Sequence, residues 1–199
     1  MTVEMLEELY GQPHARALRK ELAFLSDDYR AFVEASPFVV LSSVGPSGTD
    51  CSPRGDRPGF VRVIDRTTLA IPDRPGNNRI DSLRNIVADG RVSLLFLVPG
   101  SGETLRVNGQ ASIAIDADLL TSFAVDGRKP RTVVIVAITS VYFHCARAIV
   151  RANLWDSARH VDETALPSAG TMHQHLSDGT FDGAAYDREQ PARIKDSLY

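Results

Sequence analysis

Cysteine is scarce: Cys51 and Cys145 are the only two in 199 residues. They form no Cys-x-x-Cys pair and keep no zinc-like spacing with histidine, which argues against a disulfide framework or a structural metal module. Both read as reduced thiols. His173 and His175 lack a third ligand at useful spacing, so no metal site is expected. Long apolar runs are missing too. The longest, Val133 to Ile138, falls far below the roughly 20 residues that span a bilayer. Glu4, Glu7 and Glu8 stand where a signal peptide would be basic, so a cytoplasmic protein with no membrane partner is expected. A formal net charge of -3 denies the chain the broad basic field of a nucleic-acid binder, and any bound anion must be held by a local cluster. The glycine spacing of a dinucleotide fingerprint and the Gly-Lys-Ser/Thr of a P-loop are absent. There is no internal repeat, no low-complexity tract and no convincing Ser/His/Asp or Cys/His set.

What the sequence does contain is organised around residues 71–85, Ile-Pro-Asp-Arg-Pro-Gly-Asn-Asn-Arg-Ile-Asp-Ser-Leu-Arg-Asn. A β-rich run over Thr68 to Ile71 ends at Pro72, turn residues Asp73, Pro75 and Gly76 follow, and Asn77 or Asn78 occupies the place of a helix N-cap. Ile80, Leu83 and Val87 recur at helical spacing, and Gly90 stands where a C′ glycine ends a helix. A strand, a turn and a helix N-terminus with Arg74, Arg79 and Arg84 nearby form a setting suited to phosphate. An ordinary capped helix with solvated arginines fits the same residues.

In chain order, residues 1–35 carry apolar residues at helical spacing, broken at Gly11 and Pro13, as a lid, a dimer-packing arm or a plain cover. Phe38 to Ser43 reads as a buried strand, turning at Gly45-Pro-Ser-Gly48 into a second strand near Thr49 to Ser52. The polar loop 52–60 holds two prolines and two glycines in few conformations, which suits close approach to a flat ligand or a tight barrel corner. A hairpin follows over Val61 to Asp65 and Thr68 to Ile71. Val92 to Val98 reads as a strand buried on both faces. Thr104 to Ile115 alternates, with Gly109 marking a bulge or close backbone approach. Asp116 caps a short helix through Phe123, Thr132 to Phe143 is the last long strand, and His144 to Arg151 turns helical. Weak helical segments lie near Thr171 to Leu176 and Asp187 to Leu198. About six or seven strands with helices at both ends imply a mainly β, mostly antiparallel barrel. One domain is expected over 1–199, with a helical arm (1–35), a barrel core (36–156) and a C-terminal helical extension (157–199).

Several segments together carry a family resemblance: Ser-Pro-Arg-Gly-Asp-Arg-Pro-Gly-Phe (52–60), the 71–85 stretch, Arg-Val-Ser-Leu-Leu-Phe (91–96), Glu-Thr-Leu-Arg-Val-Asn-Gly-Gln-Ala (103–111), and His-Cys-Ala-Arg-Ala (144–148) with Leu154-Trp155. The sequence resembles the pyridoxamine 5′-phosphate oxidase-like superfamily of FMN-binding split β-barrels, in a branch of bacterial flavoproteins of mostly unassigned substrate. The resemblance implies FMN at a homodimer interface and an oxidoreductase acting on a small molecule, with no side chain required as nucleophile. It implies that Arg54 reaches the phosphate or ribityl chain, and that Asp73, Arg74, Asn77, Asn78 and Arg79 belong to the cofactor site, with Asn77 and Asn78 at the phosphate. Asn77 and Asn78 replace an Arg-Lys pair of the vitamin oxidase, a loss of charge that Arg74, Arg79 or Arg84 compensates. Thr104 stands in place of a ring-contacting glutamine with Arg106 on its face, Trp155 belongs to the flavin pocket across the dimer, and His144 faces the substrate side. The arginine signature for pyridoxine phosphate is not recognisable. A non-catalytic flavin-binding or sensing module, or a haem or deazaflavin barrel, are the other readings.

Overall fold

Seven strands, all paired antiparallel, make one sheet in the order β2-β1-β5-β6-β7-β4-β3. They are β1 (Phe38–Gly45), β2 (Gly48–Gly55), β3 (Arg62–Asp65), β4 (Thr68–Pro72), β5 (Arg91–Leu97), β6 (Thr104–Ala114) and β7 (Val133–His144). The computed structural model describes residues 1–199, the side chain of Glu163 apart. β2 is an edge strand and β4 lies five places along the sheet, yet Arg54 at the end of β2 is ion-paired with Asp73 just past β4. The sheet therefore curls round on itself. Its concave face encloses the main core, in which Val39, Leu41, Leu94, Phe96, Leu105, Val107, Val136 and Val141 are buried.

Alternation along β1 and β6 follows the period of two that a one-sided sheet demands. β5 departs from the expectation of a strand buried on both faces. Val92, Leu94 and Phe96 are buried, whereas Ser93, Leu95 and Leu97 on the opposite face are only half-buried. The apolar run satisfies the core on one side and leaves an apolar strip on the other. β2 also runs three residues beyond its expected end, because Pro53, Arg54 and Gly55 pair with Val40, Val39 and Phe38. Pro53 is accommodated because β2 is an edge strand. Gly109 does mark a bulge: the β6–β7 register shifts between Asn108 and Gly109. A Cβ there would clash with the Ala137 carbonyl oxygen.

The helices are α1 (Val3–Tyr10), α2 (Ala15–Arg19), α3 (Asp27–Ala35), α4 (Asp81–Ala88), α5 (Ala117–Ser122), α6 (Arg147–Ala152), α7 (Ala169–Leu176) and α8 (Gly183–Ser197). The N-terminal arm is three separate helices: Gly11 and Pro13 separate the first two as expected, and Leu22 leaves helical geometry to bridge Val141 at the sheet before the third. α4 packs on β1, β2 and β6. Its buried face is Ser82 and Ile86, with Leu83 half-buried, while Val87 is exposed. The helix therefore sits rotated from the Ile80, Leu83, Val87 stripe. Gly90, with φ +82°, ends α4 as expected, and its carbonyl accepts from the Ala111 amide of β6. Asp116 caps α5 as expected. Among the described residues no helix is long and apolar enough to cross a membrane.

Candidate functional site

The loop between β4 and α4 is fixed at its start by backbone pairing, since the Asp73 amide donates to the Thr132 carbonyl beside β7. From there the chain takes two left-handed residues, Asn78 (φ 58°) and Ile80 (φ 54°). Asparagine tolerates that region well, and a β-branched isoleucine does not. The N-cap of α4 is Ile80, not Asn77 or Asn78, and no side chain caps the helix. Asn77 instead folds its Oδ1 back to accept from the Arg79 amide, shaping the turn. The amides of the first turn of α4 are therefore left for a ligand or for water.

Between this loop, β2 and α4 lies a cleft of about 560 Å³. Arg54, Asp73, Arg74, Asn77, Asn78 and Arg79 all line it, as do Asp50, Asp81 and Arg131. Six of the residues singled out in the sequence are thus brought together by the fold. Most of their charge is already matched. Arg54 Nη1 donates to Asp73 Oδ1 at 2.5 Å, with both side chains under a fifth exposed. Arg74 Nε donates to Asp56 at 2.8 Å and its Nη1 to the Phe123 carbonyl. Arg79 pairs with Asp81 at the surface. Burial opposes the charge on Asp56, but hydrogen bonds from Tyr199, the Arg57 amide and Arg74 outweigh it and hold this carboxyl below the usual range. Arg84 is exposed and does not line the cleft, so it does not supply the compensating charge expected of it.

Two cationic features remain unpaired. Arg54 Nε is buried without a partner, and Arg131 lines the cleft with no ion pair among the described residues. Arg131 went unnoticed in the sequence. Only the pairing of Pro72 with Val133 carries it to the cleft, and no linear pattern marks that register. Asp50 was missed as well; its carboxylate accepts from the Ser82 hydroxyl of α4 and so ties β2 to that helix. A cleft lined by an arginine with an orphaned N–H and by uncapped helix amides fits a phosphate group, which is acceptor-only and dianionic.

The other three candidates are elsewhere. Arg54 shares a row with the buried Val39, Phe96 and Leu105, on the core side of the sheet. Thr104 and Arg106 flank Leu105 and therefore face outward. Thr104 pairs with Leu97 and His144, and Arg106 Nη1 donates to the Tyr142 hydroxyl. Trp155 is half-buried rather than core, its indole N–H donating to the Ser101 carbonyl at 2.6 Å. Within one chain these residues do not join the cleft.

Residues 25–145 match the family model described as pyridoxamine 5′-phosphate oxidase. No curated protein matches the chain. Among solved structures, a candidate pyridoxamine 5′-phosphate oxidase from Lactobacillus delbrueckii is 21% identical, with 62% of this chain and 98% of that one covered and a TM-score of 0.50. HupZ of Group A Streptococcus is 18% identical over 59% of this chain and 91% of its own, with a TM-score of 0.47. An FMN-binding protein from Syntrophomonas wolfei is 10% identical over 71% and 95%, with a TM-score of 0.43.

Proposed function

Because the chain belongs to the pyridoxamine 5′-phosphate oxidase family of split barrels, we propose that it is an FMN-dependent oxidoreductase acting on a small molecule, assembled as a homodimer. The observation that carries this reading is the cleft whose lining includes both Arg54, with its unpartnered guanidinium N–H, and the uncapped start of α4. Arg54, Asn77, Asn78 and the first turn of α4 would hold the phosphate. Asp73 orients Arg54, and Arg74, already committed to Asp56 and the Phe123 carbonyl, acts as a brace for the loop. Thr104, Arg106 and Trp155 would meet the ring. Since Thr104 and Arg106 lie on the outer side of the sheet and Arg54 on the inner, a second copy that brings its outer face to this cleft allows one ligand to touch both sets. The half-buried apolar strip of Leu95 and Leu97 supports such packing.

Bound flavin supplies two-electron chemistry at its ring, and the protein supplies position, hydrogen bonds and exclusion of water. No nucleophilic side chain is needed. The domain is read as a single unit, a barrel with a helical arm and a C-terminal extension. The test is direct: purified protein titrated with FMN, then exposed anaerobically to nicotinamide donors and to air. Flavin that bleaches and recovers supports the oxidoreductase, flavin indifferent to every donor supports a binding or sensing module, and a Soret band supports haem. Colourless protein that takes up no FMN at micromolar concentration overturns the proposal.

A further inference from the structure

At the far end of β6 and β7 lies a cluster whose charges, unlike most of those of the cleft, are unmatched. Arg106 and Lys20 make no ion pair among the described residues. Both are gathered on one aromatic ring: the Lys20 ammonium and the Arg106 guanidinium each lie 5.5 Å from the Tyr142 centroid. Lys20 Nζ is fixed by donating to the Phe143 carbonyl, and its own carbonyl accepts from the Tyr29 hydroxyl, so α3 holds it there. Arg106 donates to the Tyr142 hydroxyl, whose proton stays free. His144 packs on the same ring at 5.1 Å, and its Nε2 is buried without a partner.

We infer that Lys20, Arg106, Tyr142 and His144 form a subsite for a compact oxyanion, a carboxylate or phosphate carried by the small-molecule substrate. Every polar group in it can donate, and no carboxylate balances it, so an acceptor-only anion satisfies the cluster where another cation or a neutral amide does not. Burial first, then the charges of Arg106 and Lys20, push the His144 imidazole below its usual range. An anion among these groups reverses the Coulombic part of that effect. Naming the occupant a substrate rests on the flavin reading; binding of the oxyanion does not.

The experiment is a histidine NMR titration of the flavin-free full chain with inorganic phosphate and, separately, sodium acetate, at constant ionic strength in chloride. His144 shifts saturably and its titration midpoint rises, while His14, His160, His173 and His175 serve as internal references. Response to phosphate alone assigns a phosphorylated ligand, and response to acetate alone a carboxylate. Arg106→Gln and Lys20→Met each weaken the response about tenfold or more, the loss of one charge-assisted contact. Using both variants protects against either one failing to fold. The inference is overturned if His144 moves no more than the other histidines, or responds in both folded variants as strongly as in the parent protein. FMN affinity is measured separately: protein that binds the anion but no FMN sinks the flavin proposal and keeps this subsite, and the reverse result sinks only the subsite.

Discussion

Replacing Arg54 with alanine and Asp73 with asparagine separates two effects that a single substitution would confuse. In the folded chain Arg54 and Asp73 form one ion pair, with side chains 19% and 18% exposed. Breaking a surface pair costs about 0–1 kcal/mol and orphaning a fully buried charge about 3–5 kcal/mol, so this pair lies between. Arg54→Ala strands the Asp73 carboxylate and lowers unfolding stability by about 1–3 kcal/mol. Asp73→Asn keeps an acceptor for Arg54 and costs about 1 kcal/mol. On FMN the two act in opposite directions. Loss of Arg54 removes a charge-assisted phosphate contact of about 1.5–3 kcal/mol, which weakens binding roughly 10- to 150-fold. Loss of the Asp73 charge relieves repulsion of a dianion. One unit of like-charge repulsion near a protein surface is worth on the order of 1 kcal/mol, so affinity rises roughly several-fold. Fluorescence titration with FMN gives the affinities and urea unfolding of the same preparations gives the stabilities. A folded Arg54→Ala protein whose FMN affinity stays within about twofold of the parent would refute the assignment of Arg54, and weaker binding by Asp73→Asn would refute the role given to its charge.

Three further perturbations test other parts of the molecule. Gly109→Ala places a methyl in clash with the Ala137 carbonyl oxygen and 2.8 Å from Val136 Cγ1, so it lowers the urea midpoint by an amount equivalent to about 1–3 kcal/mol; an unchanged midpoint rules out the tight β6–β7 approach. Asp56, held below its ordinary value in the fold, gives stability that is complete at neutral pH, begins to fade as pH drops under its unfolded value near 4, and is lost through the lower folded value. Asp56→Asn therefore flattens the acid limb of a stability–pH curve, and Tyr199→Phe, which removes the 2.7 Å donor to that carboxylate, shifts the limb upward in pH. Both cysteines are exposed, but the Arg147 amide and then its charge hold the Cys145 thiol below its usual range. Maleimide at neutral pH should accordingly modify Cys145 several-fold faster than Cys51; equal rates in single Cys→Ser variants contradict this.

The seven strands could be recognised in the chain because each carries its own evidence. Alternation marks β6, turn residues bracket the β3–β4 hairpin, and Gly109 and Gly90 announce a bulge and a helix end through steric demands that are local. Much of the lining of the cleft was also legible locally, since Arg54 and the 73–79 turn belong to recognisable segments. The misreadings have one cause. Val92 to Val98 looked buried on both faces because composition does not say which face meets a neighbour. Asn77 and Asn78 looked like caps because their intrinsic preference is strong, whereas the β4–β7 pairing that anchors Asp73 lets the helix begin only at Asp81.

Period, turn chemistry and motif spacing, all short-range properties, determined the strand content, the helix after β4, the family and the arginine-rich loop. Register across the curled sheet decided which charges are free. It set Asp73 against Arg54 and Asp56 against Arg74, turning most of an apparent basic cluster into ion pairs, and it carried Arg131 into the cleft. It also put Arg106 on the outward side, beside Lys20 and Tyr142. Pairing between residues far apart in sequence depends on how the whole sheet curls, and that is a property of the packed core rather than of any stretch of chain.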